Sequence, residues 1–446
     1  MFPIIADLLE RFRDRLDTKA IVIDYDALQK GLDSLQEYLP AGPWIVAADK
    51  NTWPVAGDRL VELLEARGQK VIRYDVAHNE QGEDPICNDI MIADFEAALL
   101  ATEATAGIAV GAGTINDMVK QGCHNQSRPM ACVGTAPSMN GYTSGIAAVL
   151  SEGVKTTNPC AAPRVVIADV DVMAEAPYRM ISSGLGDLMS KPVSNADWQL
   201  SAWLNGSFHS SEAMEIIEAG AAMLEGVAHR LPARDREAVA GLTASLMLSG
   251  LAMSVAGSSS PASGGEHLIS HFIDMTAIAF DQPHDFHGCQ VGVGTLTTAF
   301  LYEKLQALDP DSIDIDARVD ALLPWDQYEA SLHERFGVLF EAVVKHARPA
   351  YPTPEILRAR LQRLKENWEF LETRVARTLR TAQSLEEELL SAECPVRFQE
   401  LGVEPDRAFR SIAHSKDIRN RYTILHLAWE LGLLEQWAQE ALEHRA

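Results

Sequence analysis

Residues 43–69, PWIVAADKNTWPVAGDRLVELLEARGQ, decide the fold. The run WIVAA is apolar at every position, as a strand covered on both faces must be, and a polar Asp-Lys-Asn turn ends it. Leu60, Val61, Leu63 and Leu64 then recur at the spacing of a helix with one apolar face. Strand, turn, helix is the unit, and it repeats outward in both directions. KAIVIDYDALQKGLDSLQEYL (19–39) precedes it. KVIRYDV (70–76) with DIMIADFEAALLATE (89–103), GIAVGAG (107–113) with INDMVKQG (115–122), and MACVGTA (130–136) follow, and PRVVIADVDVMAEAP (163–177) adds a last strand. Such alternation predicts a twisted, mostly parallel sheet with helices on both faces. An α/β dinucleotide-binding domain is therefore expected over residues 1–180.

Beyond Ser182 the strand signals thin and helical periodicity takes over. SGLGDLMSKPVSNADWQLSAWLN, SSEAMEIIEAGAAMLEGVAHRL, DREAVAGLTASLMLSGLAMSVAG and GEHLISHFIDMTAIAF read as successive helices, the inner ones apolar nearly all round. Residues 181–446 are expected to form an all-α domain holding metal and substrate. From Tyr351 the chain becomes strongly charged with Leu and Trp at helical spacing, which predicts one long amphipathic helix.

With 446 residues and 47% hydrophobic side chains, the chain is long enough for two or three domains and has the composition of a globular protein. Lys and Arg total 38 against 63 Asp and Glu, a net charge of −25 that repels nucleic acid and anionic membranes. No stretch approaches ~20 consecutive apolar residues, so no membrane span is expected. Six cysteines lie far apart with no CxxC pair, the pattern of reduced thiols in a cytoplasmic protein.

Three residues point to chemistry. Asp187 in GLGDLMSK, His267 in GGEHLISH and His287 in HGCQVGVGT offer one carboxylate and two imidazoles, the donor set of a divalent site with an open position. Any one His among thirteen is more often a surface or satisfied core residue, so context has to decide. His267 and His271 are four apart and share one face of a helix. In the first half, Gly111 and Gly113 sit between a strand and a helix whose first turn carries Thr114 and Asp117, a place where backbone N–H groups meet a diphosphate; a plain tight turn reads the same way. Asp49, at the tip of WIVAAD, suits a ribose diol and disfavours a 2′-phosphate, or else it begins a turn. Thr135 and Ser138, in the hydroxyl-rich TAPSMNGYTSG, suit phosphate or nicotinamide contacts, and turn chemistry also favours them.

Taken together, ADKNTWPVAG, GAGTINDMVK, TAPSMNGYTSG, SGLGDLMSKPVSNADW, PASGGEHLISH, HGCQVGVGT and RNRYTILHLAWELG resemble the sn-glycerol-1-phosphate dehydrogenases. That family is a branch of the superfamily holding glycerol dehydrogenases, iron-type alcohol dehydrogenases and dehydroquinate synthases. The resemblance runs from about residue 40 to residue 435. It implies a dehydroquinate synthase-like fold, an NAD cofactor (NADP as the alternative), a small-molecule substrate, a homo-oligomer, and one divalent metal, zinc first with nickel or iron as alternatives. It also implies that Asp187, His267 and His287 are the ligands and that His271 handles proton transfer. Asp49, Gly111, Gly113, Thr114, Asp117, Thr135 and Ser138 would contact the cofactor, and Asn140, Lys191 and His271 the substrate. The implied reaction interconverts dihydroxyacetone phosphate and glycerol 1-phosphate. An unphosphorylated polyol as substrate, a cyclase or lyase that recycles bound NAD, and a non-catalytic binding protein are the alternatives. Departures cluster around the substrate. Asn140 stands where the family commonly has Asp, Ser260 where it usually has Arg, Gly265 where it has Ser, and Cys289 where it has Glu.

Overall fold

The computed structural model describes residues 2–78, 85–151 and 154–444. Eight strands are described: β1 Ala20–Asp24, β2 Trp44–Ala48, β3 Val71–Asp75, β4 Ala106–Gly111, β5 Met130–Gly134, β6 Ile146–Ser151, β7 Val154–Pro159 and β8 Val165–Asp169. Six of them form one parallel sheet in the order β1-β8-β5-β4-β2-β3. Every residue of the central strands β2, β4, β5 and β8 is buried, whereas β3 at the edge is half open. The uninterrupted apolar runs of the sequence are thus explained by helices covering both faces.

Strand order reverses between β2 and β4, because β3 continues outward from one and β5 from the other. Doubly wound sheets bind ligands in the crevice at such a reversal, beyond the carboxyl ends of the strands. Asp49 follows β2 there, Gly111 ends β4, and Thr135 follows β5, whose Gly134 pairs with Gly111. The antiparallel hairpin β6–β7 was not expected from the sequence. Its residues alternate too weakly to separate a strand from a loop.

The chain divides into two compact units, Met1–Leu188 with Ser211–Ser258, and Met189–Ser210 with Ser259–Ala446. A single cut at residue 180 does not describe this division, since the 211–258 segment joins the sheet rather than the later helices. The helix Arg236–Ala256 explains why. It is long and apolar enough to cross a bilayer by length and composition, and 94% of that window is buried within the molecule, as its apolar residues on every side predict. It is the core helix of the first unit, packed on Val170–Glu175 and Tyr178–Leu188. In the second unit, Lys191–Asn205, Gly265–Phe280 and His287–Gln306 form the centre.

The single long helix expected after Tyr351 is corrected to a chain of shorter ones. Thr353 caps Pro354–Glu366, which stops at Asn367, and Thr381 caps a separate helix Ala382–Ser391 after Leu379 turns extended. Side-chain oxygens of Thr accept the first free N–H groups and so start new helices inside a run whose apolar spacing suggested one. No disulfide joins any of the six cysteines.

Candidate metal and substrate site

The first unit supplies a carboxylate held by an amide. Tyr178–Leu188 places Asp187, fully buried, one residue before the helix ends. Gly184 makes this possible, because a Cβ there would lie 1.8 Å from the Pro137 carbonyl oxygen; only glycine lets the helix press onto the 135–145 loop. Ser183 Oγ donates to the Ser138 carbonyl at 3.0 Å. Asn140 then meets Asp187 twice, its backbone N–H donating to Oδ2 and its side-chain Nδ2 to Oδ1, each at 2.9 Å. Asn140 had been expected beside the substrate. Its amide is spent on orienting the candidate ligand carboxylate.

Other expected cofactor residues have defined structural work. Asp49 Oδ1 accepts from the N–H groups of Asn51 and Thr52 and from Thr52 Oγ1, which is the turn alternative, while Oδ2 lies 3.1 Å from His78 Nε2. Asp117 accepts from Ala148 N–H at 3.0 Å and from the buried Lys120, which also bonds the carbonyls of Gly141 and Ile146. Asp117 thereby fastens the hairpin to the helix Gly113–Asn125. Gly111, Gly113 and Thr114 form the strand-to-helix turn as expected, and Thr135 N–H bonds the Gly111 carbonyl.

In the second unit, His267 and His271 stand one turn apart on Gly265–Phe280, and His287 opens the neighbouring helix. Their ring centroids are 5.1 Å (His267 to His287), 5.6 Å (His271 to His287) and 6.1 Å (His267 to His271) apart. The two helices come this close at Gly294, where a Cβ would sit 2.7 Å from the Glu266 carbonyl oxygen. Two hydrogen bonds orient the rings. His267 Nδ1 donates to Glu266 Oε1 at 2.8 Å, and His287 Nδ1 lies 3.1 Å from Ser270 Oγ. A carboxylate on Nδ1 fixes the tautomer in which Nε2 keeps its lone pair, and raises its basicity. Glu266 Oε1 also accepts from Gly264 N–H at 2.7 Å. Arg407 completes the scaffold by donating to Ile273, Thr276 and Pro283, across the turn that leads to His287.

In the same unit Asp197, 1% exposed, accepts from Tyr302 OH at 2.6 Å, Ile424 N–H at 2.6 Å and Gly265 N–H at 2.7 Å. It starts two helices at once. Lys191 Nζ bonds Ser190 Oγ at 3.1 Å and the Ala262 carbonyl at 3.4 Å. Glu266, Ser270, Asp197 and Arg407 went unassigned from the sequence. Only Glu266 had a readable signal, as a carboxylate directly before an expected ligand.

Loss of the Glu266 contact should be felt by a metal. Glu266→Gln is expected to weaken divalent metal binding by about 10- to 100-fold. Competition with a chelating dye reads this directly, and an unchanged affinity would remove Glu266 from the role.

Residues 22–177 match the family model described as iron-containing alcohol dehydrogenase. The glycerol-1-phosphate dehydrogenase [NAD(P)+] of Halalkalibacterium halodurans is 34% identical over 288 residues, 63% of this chain and 72% of that one. The enzyme of the same name from Bacillus velezensis is 29% identical over 427 residues, 95% of this chain and 94% of that one. Among solved structures, glycerol dehydrogenase from Schizosaccharomyces pombe superposes with a TM-score of 0.62 at 16% identity, covering 96% of this chain and 91% of that one, which is a likeness of fold. By the extent and identity of these matches, the chain belongs to the glycerol-1-phosphate dehydrogenase family of the iron-containing alcohol dehydrogenases.

Proposed function

We propose that the protein is a metal-dependent, NAD(P)-linked dehydrogenase interconverting dihydroxyacetone phosphate and glycerol 1-phosphate. The observation that carries this reading is the pair of imidazoles, His267 and His287, whose Nδ1 atoms are engaged by Glu266 and Ser270. Asp187, His267 and His287 each offer one ligand atom. Two neutral nitrogens and one carboxylate accept zinc, nickel or iron(II) by donor type, and zinc is the first to test. A cation held there supplies Lewis-acid polarisation of the substrate oxygen.

The chain's own residues do the rest. Glu266 and Asn140 hold two ligands in orientation. His271, one turn beyond His267 and stacked 22° from the plane of His287, moves the proton between the substrate hydroxyl and solvent. Gly111, Gly113 and Thr114, at the strand-order reversal, receive the cofactor diphosphate on backbone N–H groups, with Thr135 and Ser138 beside them. Asp49, buried at the end of β2, faces the ribose of NAD, while Asp117 serves by holding the hairpin. The same reading includes a homo-oligomeric assembly.

Nicotinamide absorbance measured on metal-reconstituted protein tests this, with dihydroxyacetone phosphate and dihydroxyacetone run side by side. The expected result is NADH oxidation that requires metal and prefers the phosphorylated ketone. Bound NAD that is reduced and reoxidised within each turnover, with no net NADH consumed, would favour the cyclase or lyase alternative instead.

A further inference from the structure

The chain carries a net charge of −25, yet the second unit gathers cations around one short turn. Ser260–Ala262 is a single turn of 3-10 helix between Ser259 and Ser263. Arg421 reaches it from the segment before Ile424–Glu430, donating through Nη1 to the Ser263 carbonyl and through Nη2 to Ser259 Oγ, both at 2.6 Å. Lys191 reaches it from the start of Lys191–Asn205 and bonds the adjacent Ala262 carbonyl. Arg419, two residues before Arg421, is near enough for its charge to oppose that of Arg421.

Arg421 makes these bonds to neutral oxygens, and Glu266 and Asp197 act on it only through space. Burial is the first cause that pushes its guanidinium down to about 10, so it remains a cation at neutral pH. Arg421 is partly exposed, and a guanidinium largely withdrawn from water is costly unless an anion can meet it. An arginine fork flanked by hydroxyls and a second cation matches the oxygens of a phosphomonoester better than a single carboxylate.

We propose that Arg421, with Lys191 and Arg419, forms a phosphoryl-binding subsite on the Ser259–Ser263 turn. The substrate's phosphoryl group is the occupant, and in this respect the assignment rests on the dehydrogenase reading.

Calorimetric titration of the metal-loaded full-length protein with inorganic phosphate tests the site apart from the reaction. Wild type is expected to bind one phosphate per chain. Arg421→Gln should weaken that binding by on the order of 30-fold or more and cut the preference for dihydroxyacetone phosphate over dihydroxyacetone to a similar degree. Arg421→Lys, which keeps the charge and loses the fork, should fall between the two. Should Arg421→Gln fail to fold, Arg421→Lys and Lys191→Gln carry the comparison. No phosphate binding by wild type, or wild-type affinity in the Arg421 variants, overturns the subsite. Phosphate binding that depends on Arg421, in a protein that turns over neither ketone, supports the subsite and counts against the dehydrogenase reading. A phosphate preference untouched by Arg421→Gln does the reverse.

Discussion

Asp187→Ala is expected to reduce bound divalent metal from about one per chain to near zero, and turnover by on the order of 10³-fold or more, since a Lewis-acid cation is worth several kcal/mol to the transition state. Two losses combine. The trio loses its only anionic donor, and the Asn140 amide and backbone N–H, each 2.9 Å from the carboxylate, lose their acceptor. The second loss costs the fold about 1–3 kcal/mol, independently of metal. Asp187→Asn separates them. It keeps the size and one acceptor oxygen near Asn140 but removes the charge, so it should melt closer to wild type while still failing to retain metal. Metal content by elemental analysis, thermal melting without metal and turnover with metal restored give three independent readings. Full metal occupancy in Asp187→Ala would remove Asp187 from the ligand set.

The role of Asn140 also recasts its departure from the family pattern. An Asp at this position in the present backbone would set a second carboxylate against Asp187, where like charges repel. The chain instead places an amide there, a donor that steadies the Asp187 carboxylate and cannot act as a base. In the proposed dehydrogenase reading proton transfer then falls to His271, which shares a helix pair with His267 and His287.

How much of this was legible follows from the range of the forces involved. The strand runs WIVAA, GIAVG and VVIAD announced buried parallel strands, because a fully covered strand needs apolar residues at every position. His267 and His271 could be placed on one helix face from spacing alone. The helix break at Asn367 could not, because the apolar period continues through it while local capping by Thr381 sets the next start. Nor could the placement of the 211–258 segment, since an apolar helix states that it is buried but not against what. Arg421 lay inside a quoted family word without a role, because its partners Ser259 and Ser263 are about 160 residues away. Asp49 shows the opposite limit. Its position at a strand tip was readable, but three donors from Asn51 and Thr52 make it a turn cap first.

The largest loss of stability is expected at Asp197, which is not one of the candidate ligands. Asp197→Ala leaves Gly265 N–H, Ile424 N–H and Tyr302 OH buried without their acceptor, and at about 1–3 kcal/mol each the variant should lose about 3–5 kcal/mol or more. The effect should reach the site, because Gly265 and Ile424 begin helices, one of which carries His267 and His271 two and six residues further on. Position 264 must be glycine for the same reason: a Cβ there would lie 2.6 Å from Asp197 Oδ2 and 2.8 Å from Glu266 Oε2, so two carboxylates close over the backbone. Burial first, and the charge of Glu266 next, raise the Asp197 carboxyl from 3.8 to about 7. The sign follows from proton counting. Between these values the folded chain keeps a proton that the unfolded chain releases, so the stability this group contributes is full below about pH 3.8 and declines as pH rises toward about 7. Asp197→Asn, which cannot ionise and retains one acceptor oxygen, should be destabilised less than the Ala variant and should lack that decline. Melting temperatures of wild type and both variants across this range, taken without metal, decide the matter. An Asn variant that tracks the wild-type slope would show that the three donors hold Asp197 ionised against burial, leaving its role in starting the two helices intact and its charge permanent.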